Sequence, residues 1–325
     1  MNRRTSLLVM LLATALLFSA PLAALAADFP NKPVNLVVAF AAGGPTDTIV
    51  RALHEKLGQR LGQPAVVLNK PGSGGLLAAE FVAKSKADGY NVLVLSLSHL
   101  LRQAIDPKMQ VDMLKDFAPI CTYVGLPIVF VVKGDSKFKT IDDLIDFGLK
   151  NPGKLSFGSS GIGATSHLSG ELFKLHTKIQ LKHVPFAGEA PLLTAVMGGH
   201  VDFGSFGAPT VVGKAASGDV RVLAALEEKR IPYFKDTPTF KDKGYPQVVM
   251  PSWYGFAAPA GTPKDVLAKL NDSLRGAIKD PATQAIIDKL GFVEIYRTPE
   301  ETKAFARTEL ERFTHITKDA GITVQ

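Results

Sequence analysis

The run Val37-Val38-Ala39-Phe40-Ala41-Ala42-Gly43-Gly44-Pro45-Thr46-Asp47 limits this chain more than any other stretch, because an apolar strand must turn there within a few residues and open a helix. Gly43 and Gly44 permit positive φ and close approach of a ligand to the backbone, and Pro45 suits the first helical position, where a missing N–H costs nothing. The first-turn N–H groups of such a helix lack intrahelical partners and carry the positive end of its dipole. They can hold a carboxylate without any arginine. An ordinary strand-to-helix connection would use the same residues, so on this stretch alone both readings stand.

Residues 1–26 differ in composition from everything that follows. Arg3 and Arg4 precede an apolar run from Leu7 to Phe18, and Ala24-Leu25-Ala26 stands before Ala27-Asp28-Phe29-Pro30. This pattern predicts a secretory signal peptide, cleaved after Ala26, and hence an exported protein. The apolar core is short for a bilayer span, Arg3-Arg4-Thr5-Ser6-Leu7 is a weak twin-arginine match, and no cysteine stands near the cleavage site to carry a lipid. The 325-residue chain is long enough for one or two domains with real cores. Its net charge of +7 includes the two leader arginines and is otherwise spread thinly, which favours anionic ligands mildly and gives no case for nucleic acid. The single cysteine, Cys121, lies in an apolar setting and reads as a buried core thiol.

Taken in order, the chain reads as alternating strands and helices. A strand at Val34 to Phe40 leads to a helix from Pro45 to about Leu61, with Ile49, Val50, Leu53, Leu57 and Leu61 on one face and Gly62 stopping it. A strand at Ala65 to Leu68, the turn-rich Asn69-Lys70-Pro71-Gly72-Ser73-Gly74-Gly75, a helix from Leu76 to Lys84 and an apolar strand from Tyr90 to Leu97 follow. Such alternation predicts an α/β sheet.

Three motifs here, Ala41-Ala42-Gly43-Gly44-Pro45-Thr46-Asp47, Asn69 to Gly75 and Ala87-Asp88-Gly89-Tyr90, resemble the periplasmic solute-binding proteins of tripartite tricarboxylate transporters, the TctC or Bug family. The likeness continues through Gly158-Ser159-Ser160-Gly161-Ile162-Gly163-Ala164-Thr165-Ser166-His167-Leu168 and Val184-Pro185-Phe186-Ala187-Gly188. The resemblance implies a two-lobed type II periplasmic-binding fold, each lobe a mixed sheet flanked by helices. Such a protein closes on a small organic anion and hands it to a membrane permease. Leu126 to Gly134 and Trp253 to Pro259 read as the two strands that cross between lobes. Residues 27–125 and 252–325 would then form lobe I, and residues 126–251 lobe II. In lobe II we expect strands at Leu155 to Phe157, Gln180 to Val184, Val201 to Phe203 and Val220 to Leu226, with helices at Thr165 to His176 and Pro191 to Met197. After the second crossing, Thr262-Pro263 and Thr298-Pro299-Glu300-Glu301 each read as a capped helix start.

The resemblance puts the ligand between the two glycine-bearing loops. The expected contacts are Phe40, Ala41, Ala42, Gly43, Gly44, Thr46 and Asp47 from the first loop, and Ser160, Gly161, Ile162, Gly163, Ala164 and Thr165 from the second. Ser98, at the carboxyl end of the third strand, and Phe186, Gly188 and Asp202 complete the set. Several of these have a plainer reading. Asp47 can simply favour its first helical turn, Asp202 can simply end a strand, and His167 beside leucines can be a packed or capping residue. Phe186-Ala187 departs from the family's more usual tyrosine and polar residue, which points to a less polar ligand.

Other classes fit poorly. No Gly-x-Ser-x-Gly elbow supports a hydrolase, no His-Glu-x-x-His spacing supports a metal, and the second loop lacks the last glycine of a dinucleotide fingerprint and the Lys-Ser/Thr of a P-loop. The expectation is therefore a monomeric binding protein with no cofactor, a di-, tri- or aromatic carboxylate as ligand, and transporter permease subunits as partner. The alternative is a ligand sensor serving a separate membrane signalling protein.

Overall fold

The computed structural model describes residues 29–106, 108–319 and 321–322. The leader expected at residues 1–26 lies outside the described residues, and among those described no helix is long and apolar enough to cross a membrane. In chain order, β1 (Val34–Val38), α1 (Pro45–Leu61), β2 (Ala65–Asn69), α2 (Leu76–Ala83), β3 (Asn91–Ser96) and α3 (Leu97–Ile105) lead to β4 (Phe117–Leu126) and β5 (Ile128–Lys133). Next come α4 (Ile141–Lys150), β6 (Leu155–Ser159), α5 (Thr165–Thr177), β7 (Leu181–Pro185), α6 (Glu189–Met197), β8 (Phe203–Gly207), α7 (Ala208–Ala216) and β9 (Val220–Ala225). β10 (Ser252–Pro259), α8 (Lys264–Ile278), α9 (Pro281–Leu290), β11 (Val293–Arg297) and α10 (Pro299–Asp319) complete the elements.

The strands form two mixed sheets, ordered β11-β4-β10-β3-β1-β2 and β7-β6-β8-β5-β9. The second repeats five strands of the first, only β11 lacking a counterpart. β1 lies parallel to β2 and β3, as β6 lies parallel to β7 and β8. On the far side of β3 runs antiparallel β10, and on the far side of β8 runs antiparallel β5. β1 and β6 therefore hold equivalent places, and the loop leaving each ends at an equivalent point.

The cores follow from the sequence pattern. In α1 the apolar face Ile49, Val50, Leu53, Leu57 and Leu61 is buried, and Gly62 stops the helix at φ 72°, a conformation other residues adopt at a cost. Around β5 the rings of Phe130, Phe157, Phe173, Phe203 and Phe240 pack with centroids 5.1 to 6.0 Å apart. Cys121 is buried in β4, as its apolar neighbours predict.

Several local expectations need correction. Leu126 to Gly134 is not one strand. Pro127 separates β4 from β5, which belong to different sheets, and its carbonyl accepts from Ala208 N–H at 2.7 Å. Val201 to Phe203 is displaced: β8 begins at Phe203 and continues through Gly204-Ser205, a glycine-containing run that did not read as strand. Gly204 is accommodated because a Cβ there would lie 2.8 Å from the Phe206 ring. Thr262 does not cap α8. Its hydroxyl donates to Pro259 O at 2.8 Å, and the cap position belongs to Pro263. Thr298, by contrast, does form a reciprocal pair with Glu301 at the start of α10.

Candidate ligand site between two matching loops

Residues 39–44 join β1 to α1, and residues 160–164 join β6 to α5. The last two residues of the loops have the same conformation. Gly43 and Gly163 take φ values of 83° and 81°. The next residues, Gly44 and Ala164, are extended N-caps at φ −78°, ψ 171° and φ −72°, ψ 161°, and neither supplies a side-chain cap to its helix. Four residues after each glycine a side chain accepts the glycine N–H: Asp47 Oδ2 from Gly43 at 3.0 Å, and His167 Nδ1 from Gly163 at 3.2 Å. Asp47 and His167 thus shape the loops from beneath, and His167 accepts at Nδ1 in its neutral form.

Asp47, only 3% exposed, also accepts from Arg51 Nε at 2.9 Å and Asn69 Nδ2 at 3.0 Å. Burial opposes its charge, but the bonds from Arg51, Gly43 and Asn69 outweigh burial and hold the carboxyl below its ordinary value. Asn69 Nδ2 also donates to Phe40 O at 3.0 Å, so the Asn69 to Gly75 motif ties into the first loop. The same motif reaches the second loop. A Cβ on Gly74 would stand 2.9 Å from Ile162 O, so only glycine allows that approach without displacement. Ser98 links the two halves directly. Its Oγ accepts from Thr165 N–H at 3.2 Å and lies 3.1 Å from Thr165 Oγ1.

Between the loops lies a cavity of about 50 Å³. Of the residues expected at the ligand, Phe40, Ala41, Ala42, Gly44 and Thr46 line it from the first loop and helix start. Ser98, Ser160, Thr165 and Gly188 line it from the other elements. Gly161, Ile162 and Phe186 face an adjoining groove that also includes Pro71 to Gly75 and Arg102. Gly43, Asp47, Gly163 and Ala164 form the loops without lining the cavity. Asp202 is placed away from it. Its carboxylate accepts from Ser156 N–H at 2.8 Å and from the Ser156 hydroxyl at 2.7 Å, fastening the approach to β8 onto β6.

Sequence reasoning passed over Glu189, Ser205, Ser252 and Tyr254, all of which line the cavity. Pro191 suggested a helix start at that residue, whereas α6 begins two residues earlier behind Gly188 at φ 122°. Ser252 and Tyr254 share one face of β10 by strand periodicity, a signal available once that run was read as strand. Burial, and then the nearby Glu189, push the Tyr254 phenol up, against a hydrogen bond with Thr46. Among the described residues no lysine or arginine lines the cavity. Any anion held there rests on backbone N–H groups, hydroxyls and helix ends.

Two buried acids make stability fall with rising pH. Burial pushes Glu189 up to about 7, against bonds from Thr210 and Gly207, and pushes Glu227 up to about 8, against its bond from Ile128 N–H. In each case the folded value lies above the ordinary 4.5, so between about pH 4.5 and 8 the native chain keeps protons that the unfolded chain has released. Below pH 6.5 four histidines that burial holds under their ordinary value act in the opposite direction, so it is between about pH 6.5 and 8 that urea midpoints should decline, and Glu227→Gln should flatten that decline. A midpoint that rises over this window would contradict the assignment.

The family model described as "Tripartite tricarboxylate transporter family receptor" matches residues 49–322. BugT of Bordetella pertussis is 31% identical over 323 residues, covering 99% of this chain and 98% of its own. Among solved structures, periplasmic binding protein BugD superposes with a TM-score of 0.87 at 33% identity, covering 91% of this chain and 100% of BugD. R. palustris Rpa4515, solved with adipate, gives a TM-score of 0.86 at 30% identity, covering 91% of this chain and 99% of that one. The family match, the near full-length relatives and the shared two-sheet fold agree: the chain belongs to the tripartite tricarboxylate transporter receptors, the TctC or Bug family, which are periplasmic solute-binding proteins and not enzymes.

Proposed function

We propose that this protein captures a small organic carboxylate between its two matching loops and delivers it to the membrane permease of a tripartite tricarboxylate transporter. The observation that carries the reading is the pair of helix starts without side-chain caps, on equivalent loops, lining one cavity that has no basic side chain among the described residues. Rpa4515 with adipate supports the ligand class. Residues 1–26 act as the export signal. Residues 27–125 with 252–325 form one lobe and residues 126–251 the other; sheet membership supports this division except at Leu126, which ends β4, and Pro127 stands at one crossing. The cavity residues Phe40, Gly44, Thr46, Ser98, Ser160 and Thr165 contact the ligand directly. Gly43, Asp47, Gly163 and Ala164 hold the loops in shape.

A thermal-shift screen of residues 27–325 against small carboxylates and their matched amides tests this. An acid at 100 times its dissociation constant should stabilise by about 2.7 kcal/mol, and its amide should not. A panel in which amides shift the melting temperature as much as acids would sink the carboxylate reading.

A further inference from the structure

Glu189 is the one charged side chain among the described residues that line the cavity. Its Oε1 accepts from Gly207 N–H at 3.1 Å and its Oε2 from the Thr210 hydroxyl. Both partners are neutral, so nothing there balances a carboxylate charge, and each oxygen retains a lone pair. On β8, two residues before Gly207, Ser205 is 0% exposed, its Oγ has no partner, and it lines the same cavity. Tyr254, on a strand of the other sheet, stands near enough to feel Glu189 and hydrogen-bonds Thr46.

We propose that this end of the cavity receives an ammonium group, with Glu189 and Ser205 Oγ as its acceptors, so that the ligand is an amino carboxylate rather than a dicarboxylate. The inference rests on the carboxylate reading of the loops and adds what the ligand carries at its other end. An ammonium there makes charge-assisted hydrogen bonds and supplies the missing counter-charge. A second carboxylate must instead share a proton with Glu189, since two close carboxylates do not both ionise. The upward displacement of the Glu189 carboxyl to about 7 is what a buried acid without a counter-ion shows.

The test is isothermal titration of the mature chain with short straight-chain acids that end in methyl, ammonium or carboxylate. The ammonium series should bind tightest and the dicarboxylates weakest. Glu189→Gln, which keeps an acceptor for Gly207, should cut the preference for ammonium over methyl by at least about tenfold and improve dicarboxylate binding. Ser205→Ala removes only an unpartnered hydroxyl. It should leave folding intact and weaken the ammonium series several-fold while sparing the methyl series, which keeps the inference testable if Glu189→Gln fails to fold. Tightest binding by a dicarboxylate, or an ammonium preference that survives both variants, overturns the proposal while leaving the carboxylate reading in place. Binding of none of these acids overturns this inference, while the thermal-shift panel decides the carboxylate reading.

Discussion

Gly44→Val should weaken ligand binding by at least about a hundredfold while the protein stays folded. Gly44 has φ −78° and ψ 171°, a backbone conformation open to any residue, and a Cβ built there meets nothing nearer than Ala41 O at 3.5 Å. The backbone therefore tolerates a side chain, and valine at an N-cap costs the helix only about 1 kcal/mol. The cavity does not tolerate it, because Gly44 is part of the wall from which the helix start meets the ligand. Keeping an anion away from fixed donors forfeits charge-assisted hydrogen bonds worth about 1.5 to 3 kcal/mol each, so losing two accounts for the expected factor. The check is a dissociation constant by calorimetry beside a urea midpoint. Unchanged affinity would remove the first loop from the site. Its neighbour gives a contrast: Gly43 sits at φ 83°, so a side chain there strains the backbone.

Gly170→Ala should destabilise the protein by about 3 kcal/mol, near the upper end for overpacked cores. A Cβ on Gly170 would fall 2.1 Å from the Phe157 ring. That ring has little room to move, with Phe130 and Phe203 at 6.0 and 5.1 Å and His183 stacked at 5.9 Å. The helix must therefore lift from the sheet, taking the second loop with it, since Gly170 lies in α5, whose first turn that loop opens. Gly213→Ala is the matched control. It too is helical, in α7, but nothing lies within 4 Å of its Cβ position, and the exchange should be neutral or stabilising by up to about 1 kcal/mol. Urea denaturation of both variants decides the matter. Equal midpoints would mean that the aromatic cluster yields more readily than its packing implies.

What could be read from the chain alone was what neighbouring residues settle between themselves. The strand, glycine turn and helix start at Val37 to Asp47 announce themselves by type and order, as does the second loop. The apolar face of α1 follows from its spacing and is the face that is buried. Features set by distant partners were not legible. Pro127 looked like an interruption within one apolar run, and only pairing with β10 on one side and β8 on the other shows two strands in separate sheets. Gly204-Ser205 reads as turn chemistry until Phe206 and Leu192 are seen to fill the space beside it. Glu189 was hidden for the same reason. An acid after a glycine suits any helix start, and its distinction comes from Gly207 and Thr210, which fold back onto it from further along the chain. Asp202 shows the reverse, an acid next to a strand that reasoning placed at the ligand and the fold bonds to Ser156 instead.

The matched loops have a consequence for how a bound anion leaves. A carboxylate has two equivalent oxygens, and in the site proposed above it would meet two matching sets of donors, one carried by each sheet. Neither set encloses it alone, so retention requires both at once, and the hold on the ligand depends on the product of two half-sites and not on their sum. Ser98 and Thr165 join across the same gap, so parting the sheets breaks that link in the step that halves the grip on the anion. Release becomes a single event with no half-held stage, which suits a carrier that must keep its cargo in dilute solution and yield it at once when something else draws the halves apart.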